Sequence, residues 1–297
     1  MALFNNDLSE LTKRLLKVGL KSYIGGTLTG STSTTVFADS ARGEEDDYFQ
    51  NMSPPAYLVF LSTPTNVAPV GESRKITDWA NTGGAFTTTA FTAQPAIGST
   101  YVILSEYTWD EIKEALNMAM DIAVGHGART ERIDETLSIQ EDTYEYPVPV
   151  GFTEIFRISQ ANDDGEFGDP IPPDQYRIVR DGDQSKIKFL TYPMIDAPAD
   201  HYVGSLWAES DLSDGKTLRI EGLSVQPALS HPSDMCYLNP NFVVFEAASL
   251  LHGSRIVANE KDFDAHRTQA EWCASQAANF LPQTVMQLPS NTKKVQR

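Results

Sequence analysis

Asn239-Pro240-Asn241-Phe242-Val243-Val244-Phe245-Glu246-Ala247-Ala248-Ser249-Leu250-Leu251 is the stretch that decides the fold. It opens a run that reads as two helices back to back, 242–258 and 261–281, followed by a short tail, 283–297. The first helix is apolar almost all round, at Phe242, Val243, Val244, Phe245, Ala247, Ala248, Leu250 and Leu251. A helix without a polar face is normally buried on every side. The second carries a narrower stripe at Phe263, Ala270, Cys273, Ala274, Ala277, Phe280 and Leu281. That spacing suits a partner on one face and water or another subunit on the other. The hairpin therefore needs further helices to cover it, and these must come from far upstream.

Two upstream segments qualify. In 8–20, Leu8, Leu11, Leu15 and Val18 fall on one helical stripe, Asp7 and Glu10 have capping-box spacing, and Gly25-Gly26 is the predicted stop. In 109–124, Thr108 and Glu111 form a second capping box, and Gly125 or Gly127 ends the helix. Its apolar face, Ile112, Ala115, Leu116, Ala119, Ile122 and Ala123, is rich in alanine, which predicts close approach to another helix.

The material between has no helical period. Predicted strands in 27–105 are 34–37, 56–61, 86–89 and 100–104, with a reversal at Asn81-Thr82-Gly83-Gly84. In 130–232 they are 137–139, 143–148, 155–158, 176–179, 186–190 and 202–207, with a hairpin turn at Asp181-Gly182-Asp183. The predicted class is α+β: a helical bundle (8–20, 109–124, 242–258, 261–281) with two β-rich insertions. Its divisions are an N-terminal helical segment 1–26, an inserted β-domain 27–105, a bundle helix 106–129, a β-rich region 130–235, the helical hairpin 236–282 and an arm 283–297.

The net charge of −17 comes from 40 acidic and 23 basic residues. A general grip on nucleic acid needs a basic surface, so the body is a poor DNA or RNA binder. After Pro282 the only charges are those of Lys293, Lys294 and Arg297, so the tail reads either as a basic arm or as a frayed end. No apolar run is long enough to cross a membrane, and 1–21 lacks signal-peptide order. Cys236 and Cys273 match no metal spacing, and the five histidines are scattered; His252 and His266 could share a bundle edge, but no HExxH or Cys/His cluster supports zinc. There is no phosphate loop and no nucleophile elbow. The acidic runs Glu44-Glu45-Asp46-Asp47 and Asn162-Asp163-Asp164-Gly165-Glu166 read as solvated loops, not calcium sites. No catalytic, cofactor-binding or metal residue is assigned, and the reading is non-enzymatic.

The order of elements in 108–297 resembles the head-to-tail adaptor (connector) proteins of tailed, especially short-tailed, bacteriophages. The resemblance rests on Asn239-Pro240-Asn241-Phe242, the apolar helix to Leu251, the break at Asn259-Glu260, the Trp272-bearing second helix, an earlier helix like 109–124 and a β segment like 176–190. Residues 27–105 exceed the short form of that family. They are similar to a small β-module of phage virion proteins through Gly30-Ser31-Thr32, Asp46-Asp47-Tyr48-Phe49 and Arg74-Lys75-Ile76-Thr77-Asp78.

The resemblance implies a virion structural protein, made in the host cytoplasm and placed in the neck between head and tail. It implies a homo-oligomeric ring, dodecameric in the virion, between the portal protein and a tail or nozzle protein, with genomic DNA only in transit and no cofactor. An acidic wall would not trap a passing polyanion. Bundle and ring packing falls to Ile112, Leu116, Ala119, Phe242, Phe245, Leu250 and Trp272. Portal docking falls to an arm containing Val285, Met286, Leu288, Lys293, Lys294 and Arg297. The β-module 27–105 is expected to face outward and to hold tail fibres. A tail terminator or head-closure factor would share these features. The alternative is a carbohydrate-binding or fibre-associated virion module using Tyr48, Tyr57 and Trp79.

Overall fold

The computed structural model describes residues 6–65, 69–140, 143–190, 215–256, 263–284 and 293–294. In chain order, β1 (Asn6–Asp7) leads into α1 (Leu8–Arg14) and a π turn, Leu15–Gly19. Then come β2 (Ile24–Thr27), β3 (Gly30–Ser31), β4 (Val36–Ala38), β5 (Tyr57–Ser62), β6 (Ser73–Ala80), β7 (Ala85–Thr88), β8 (Thr100–Leu104) and α2 (Trp109–Gly125). A second β run holds β9 (Thr130–Ser138), β10 (Glu145–Pro147), β11 (Phe152–Ala161), β12 (Phe167–Pro170), β13 (Tyr176–Asp181), β14 (Gln184–Phe189) and β15 (Thr217–Ser224). The chain ends with β16 (Met235–Cys236), α3 (Pro240–Ser254), α4 (Phe263–Phe280) and β17 (Lys293–Lys294). The class is α+β. The expected strand 202–207 lies outside the described residues.

The chain divides into two compact units, Met1–Ala128 with Gln226–Val285, and Arg129–Val225 with Met286–Arg297. In the first unit, α3 is the centre of the helical layer, packed against α2, α4 and the N-terminal helical segment. Asn239 caps it by accepting from the Asn241 N–H at 3.0 Å, with Pro240 in the first turn. Phe242, Val243, Val244, Ala247, Ala248 and Leu251 are all buried. Each large side chain removed from water in this way stabilises by about 1.5–3 kcal/mol.

The N-terminal helix departs from its predicted stripe. Leu8, Leu11 and Leu15 are buried as expected, but Val18 is 45% exposed, and Leu16 and Leu20 are buried instead. The cause is the π turn: the Leu20 N–H reaches the Leu15 carbonyl at 2.9 Å, five residues back. One extra residue per turn slips the stripe by one position. The helix stops at Gly19 rather than at Gly25-Gly26, which lie in β2. Gly19 allows the close packing, because a Cβ there would meet Ala248 Cβ at 2.6 Å.

The helices do not enclose a core by themselves, and here the expected bundle is corrected. The first unit's seven-stranded ladder runs β2-β8-β5-β6-β7-β4-β3. Its two ends, β2 and β3, are halves of one stretch, bridged by Leu28 and Thr29, whose N–H groups bond Ser99 and Ala38 carbonyls at 2.9 and 2.8 Å. The ladder thus closes into a barrel, which removes the exposed edges of an open sheet. Leu58, Phe60, Tyr101 and Ile103 point into the barrel with Phe37, Phe49, Trp79 and Phe86. Their neighbours Val59, Leu61, Val102 and Leu104 point the other way and share one core with the helices. The β segment 24–104 is one wall of the helical core, not an appendage.

The second unit has its own core. One sheet runs β12-β11-β15-β9, with β17 also paired to β11, and the other runs β10-β14-β13. Ile155, Ile158, Leu218 and Ile220 from the first sheet meet Tyr146, Tyr176, Ile187 and Phe189 from the second. Gly182 (φ +61°) makes the two-residue β13–β14 hairpin at the predicted place.

Candidate interaction surface

Of the expected packing residues, Ile112, Leu116 and Ala119 on α2 and Phe242 on α3 are fully or almost fully buried within the subunit. They hold helix to helix and present nothing outward. Phe245 and Leu250 are half-buried against the same core, and Trp272 is 42% exposed. On α4, Ala270, Cys273 and Ala277 face inward at 3-4 spacing, as the sequence stripe predicts.

These facts leave an aromatic ridge along the hairpin. The Phe245 ring meets Trp272 edge-on at 5.5 Å and stacks parallel to Phe280 at 6.0 Å. The Lys21 ammonium lies 5.7 Å from the Trp272 ring centre. Such ring pairs and cation–ring contacts stiffen a surface as well as burying area. A preorganised, partly exposed Trp–Phe–Phe row is the kind of surface that supplies anchor residues at protein interfaces. At the C-terminal end of α3, Arg255 fixes the hairpin to α2: its guanidinium donates to the Glu106 carbonyl at 2.7 Å and to Glu111 Oε1 at 3.2 Å. Glu111 also completes the capping box with Thr108, so one carboxylate joins the end of α3 to the start of α2.

Of the expected arm, Val285, Met286, Leu288 and Arg297 lie outside the described residues. Lys293 and Lys294 form β17, antiparallel to β11 opposite Ile155 and Glu154. This backbone pairing has no signature in the sequence, since Lys-Lys carries no strand preference.

The aromatic residues offered for sugar binding separate. Tyr48 is 47% exposed, but Trp79 is 1% exposed and belongs to the barrel core. Its indole N–H donates to the Glu44 carbonyl at 3.3 Å. In the run Glu44–Asp47, Glu45, Asp46 and Asp47 are exposed, as expected of a solvated loop, and two of its carboxylates are also tied to neighbouring residues. Asp46 accepts from the Asn81 N–H at 2.7 Å, and Glu44 accepts from Arg42 at 2.6 Å. Arg42 in turn donates to Tyr101 Oη at 2.5 Å, and Tyr101 donates to buried Asp39 at 2.6 Å. Burial, then the Asp39 hydrogen bond, push the Tyr101 hydroxyl well above its ordinary pKa. This network plugs one end of the barrel, beside a cleft of about 490 Å³ lined by Gly25, Gly26, Asp39, Arg42 and Glu44.

Both cysteines are buried without a disulfide, and burial pushes each thiol up to about 11. Among the described residues no three or more His, Cys, Asp or Glu side chains converge as a metal cage, and no helix is long and apolar enough to cross a membrane. Comparison with protein-family models and with curated proteins finds no match for this chain.

Proposed function

We propose that this chain is a virion structural protein, a head-to-tail adaptor that forms a ring between portal and tail and lets DNA pass through its centre. The observation that carries this reading is the hairpin. Its apolar helix α3 is covered by helices from both ends of the chain, while Phe245, Trp272 and Phe280 stay partly or largely exposed in one row. A heterologous ring needs two different surfaces on each subunit. The aromatic ridge supplies one. The other is a matter for the assembled ring. The net charge of −17 supports a channel that repels DNA instead of binding it.

On this reading the tail after Thr284 is the portal-docking arm, and strand addition of the kind made by Lys293–Lys294 on β11 is its mode of attachment. The test is size-exclusion chromatography with light scattering of the purified chain and its cognate portal. The expected outcome is a stoichiometric ring complex that Trp272→Ala weakens at least tenfold. A chain that never associates with portal would end the adaptor reading.

A further inference from the structure

The N-terminal helical segment carries Lys13, Arg14, Lys17 and Lys21, and no acidic residue occurs between Glu10 and Asp39. In a chain with 40 acidic and 23 basic residues this is a local reversal of sign. Lys17, Val18 and Lys21 are exposed, while Leu15, Leu16, Gly19 and Leu20 are buried. The π turn is what puts Val18 outside. A regular helix would carry it on the buried stripe of Leu11 and Leu15, but the extra residue in the turn rotates it outward between the two lysines. Arg14 donates to Asn241 at 3.4 Å, and the Lys17 and Lys21 ammonium groups lie over the rings of Tyr23 and Trp272. Among the described residues none of the four cations makes an ion pair.

The outer ridge of α2 is the converse. Asp110, Glu114, Met118 and Asp121 are exposed at spacings of four, four and three, which places them on one side of the helix. Lys113 pairs with Asp110 at 3.0 Å. Glu114 and Asp121 make no ion pair among the described residues. Val18 is 45% exposed and Met118 47%, each between charges of one sign. The two faces also match in length. Arg14, Val18 and Lys21 read charge, apolar, charge over the same seven-residue interval as Glu114, Met118 and Asp121, about 10 Å of helix. Both helical segments pack against α3, and these faces point away from that shared core. One subunit therefore cannot bring them together, but two can.

We propose that the basic face of Lys17, Val18 and Lys21 in one copy of this chain docks on the acidic ridge of Glu114, Met118 and Asp121 in the next, with Val18 against Met118 at the centre. Opposite potentials set the register of such a contact, and the apolar pair supplies its dry middle. The two faces differ, so the contact is head-to-tail and repeats from copy to copy. Lys21 lies over Trp272, so the basic face continues the aromatic ridge, and α2 carries the second surface that a ring requires. The inference rests on the adaptor reading for the ring, while the contact joins copies of this chain and is tested without portal.

The experiment compares the full chain with two charge-reversed variants, Lys17→Glu with Lys21→Glu, and Glu114→Lys with Asp121→Lys. Sedimentation velocity is run over a range of concentrations at about 0.15 M salt, where the screening length is about 8 Å and only close charges act. The unsubstituted chain should self-associate, and each variant alone should do so at least tenfold more weakly. An equimolar mixture of the two variants should recover association, because each reversed face then meets its complement. Misfolding of either variant cannot produce that recovery. A monomeric unsubstituted chain at several hundred micromolar, or a mixture no stronger than the variants alone, would overturn the proposal. So would a basic face that binds a short DNA duplex in place of a second copy. Portal association of the same samples separates the two readings: a chain that binds portal but not itself sinks the contact alone, and one that binds itself but not portal keeps the contact and ends the adaptor reading.

Discussion

In the barrel, β5 puts Leu58 and Phe60 inside and Val59 and Leu61 against the helices, so the strand is buried on both sides. In the second unit, β14 puts Ile187 and Phe189 into the core and leaves Lys188 in water. The same secondary structure thus serves two plans. A strand that reads apolar at every position has neighbours on both faces, while alternation means one dry face and one wet. Tyr57-Leu58-Val59-Phe60-Leu61 and Thr100-Tyr101-Val102-Ile103-Leu104 belong to the first kind. They identify the barrel as something the helices lean on. Cutting out 27–105 would therefore strip a wall from the helical core.

The sharpest way to break this contrast is Phe242→Ala. Truncating a buried phenylalanine costs about 3–5 kcal/mol. Phe242 shares its core with Val59 and Val102. Hydrogen exchange should therefore accelerate at β5 and β8 together with the helices, and stay unchanged at Ile158 and Ile220 in the other unit. Protection retained in β5 and β8 would show the barrel to be a separate cooperative unit.

A smaller loss is expected from Tyr101→Phe. The substitution removes the hydroxyl that bridges Asp39 and Arg42 and leaves the buried carboxylate one donor short, at a cost of about 1–3 kcal/mol. Urea unfolding should show the fall in the first unit only. An unchanged midpoint would mean that the barrel plug contributes no net stability.

Much of this architecture was legible in the sequence, for identifiable reasons. The all-apolar α3, the capping box at Thr108 and Glu111 and the Asp181-Gly182-Asp183 turn are local signals, and each sits where its chemistry requires. The π turn was hidden because a shifted stripe still contains leucine at the expected positions. Strand β15, central to its sheet, is absent from the expected strands although Leu218-Arg219-Ile220-Glu221 alternates as a half-buried strand should; Gly222 breaks the pattern in its middle. Gly222 is demanded by packing: a Cβ there would overlap the Glu154 carbonyl. The His252–His266 meeting follows from pairing the two hairpin helices along one edge, whereas the network around Arg42 depends on tertiary closure, and no spacing rule announces it.

The junction between α1 and the loop 230–234 gives a pH test. The Asp234 carboxylate accepts from the N–H groups of Ser230 and His231, each at 2.7 Å. The loop it braces offers the Pro232 and Asp234 carbonyls to Ser9 and Leu8, at 3.0 Å each, and so starts α1. Burial alone would raise this carboxyl, but the backbone donors of His231 and Ser230 outweigh it, and the net shift is downward from 3.8. A lowered carboxylate contributes stability that is present above the unfolded pKa and is lost as pH falls through the folded one. The first unit should thus lose stability below about pH 4, and Asp234→Asn should flatten that part of the curve. An identical acid limb in the variant would assign the loss to other carboxylates.

The least effect on stability is expected from removing 286–297, which falls at the boundary between the units. The cut leaves Thr284 in place, where its hydroxyl donates to the Leu281 carbonyl at 2.6 Å and closes the end of the hairpin. The segment removed includes β17, which adds only Lys293 and Lys294 to β11. Each hydrogen bond so lost is worth about 1 kcal/mol net. The first unit should keep its midpoint, the second should fall by about 1–2 kcal/mol, and, on the proposed adaptor reading, association with portal should disappear. Calorimetry measures the first two and co-sedimentation with portal the third. A fall in the first unit would make the tail part of the helical core. Portal binding that survives the cut would move docking from the arm to the aromatic ridge of Phe245, Trp272 and Phe280.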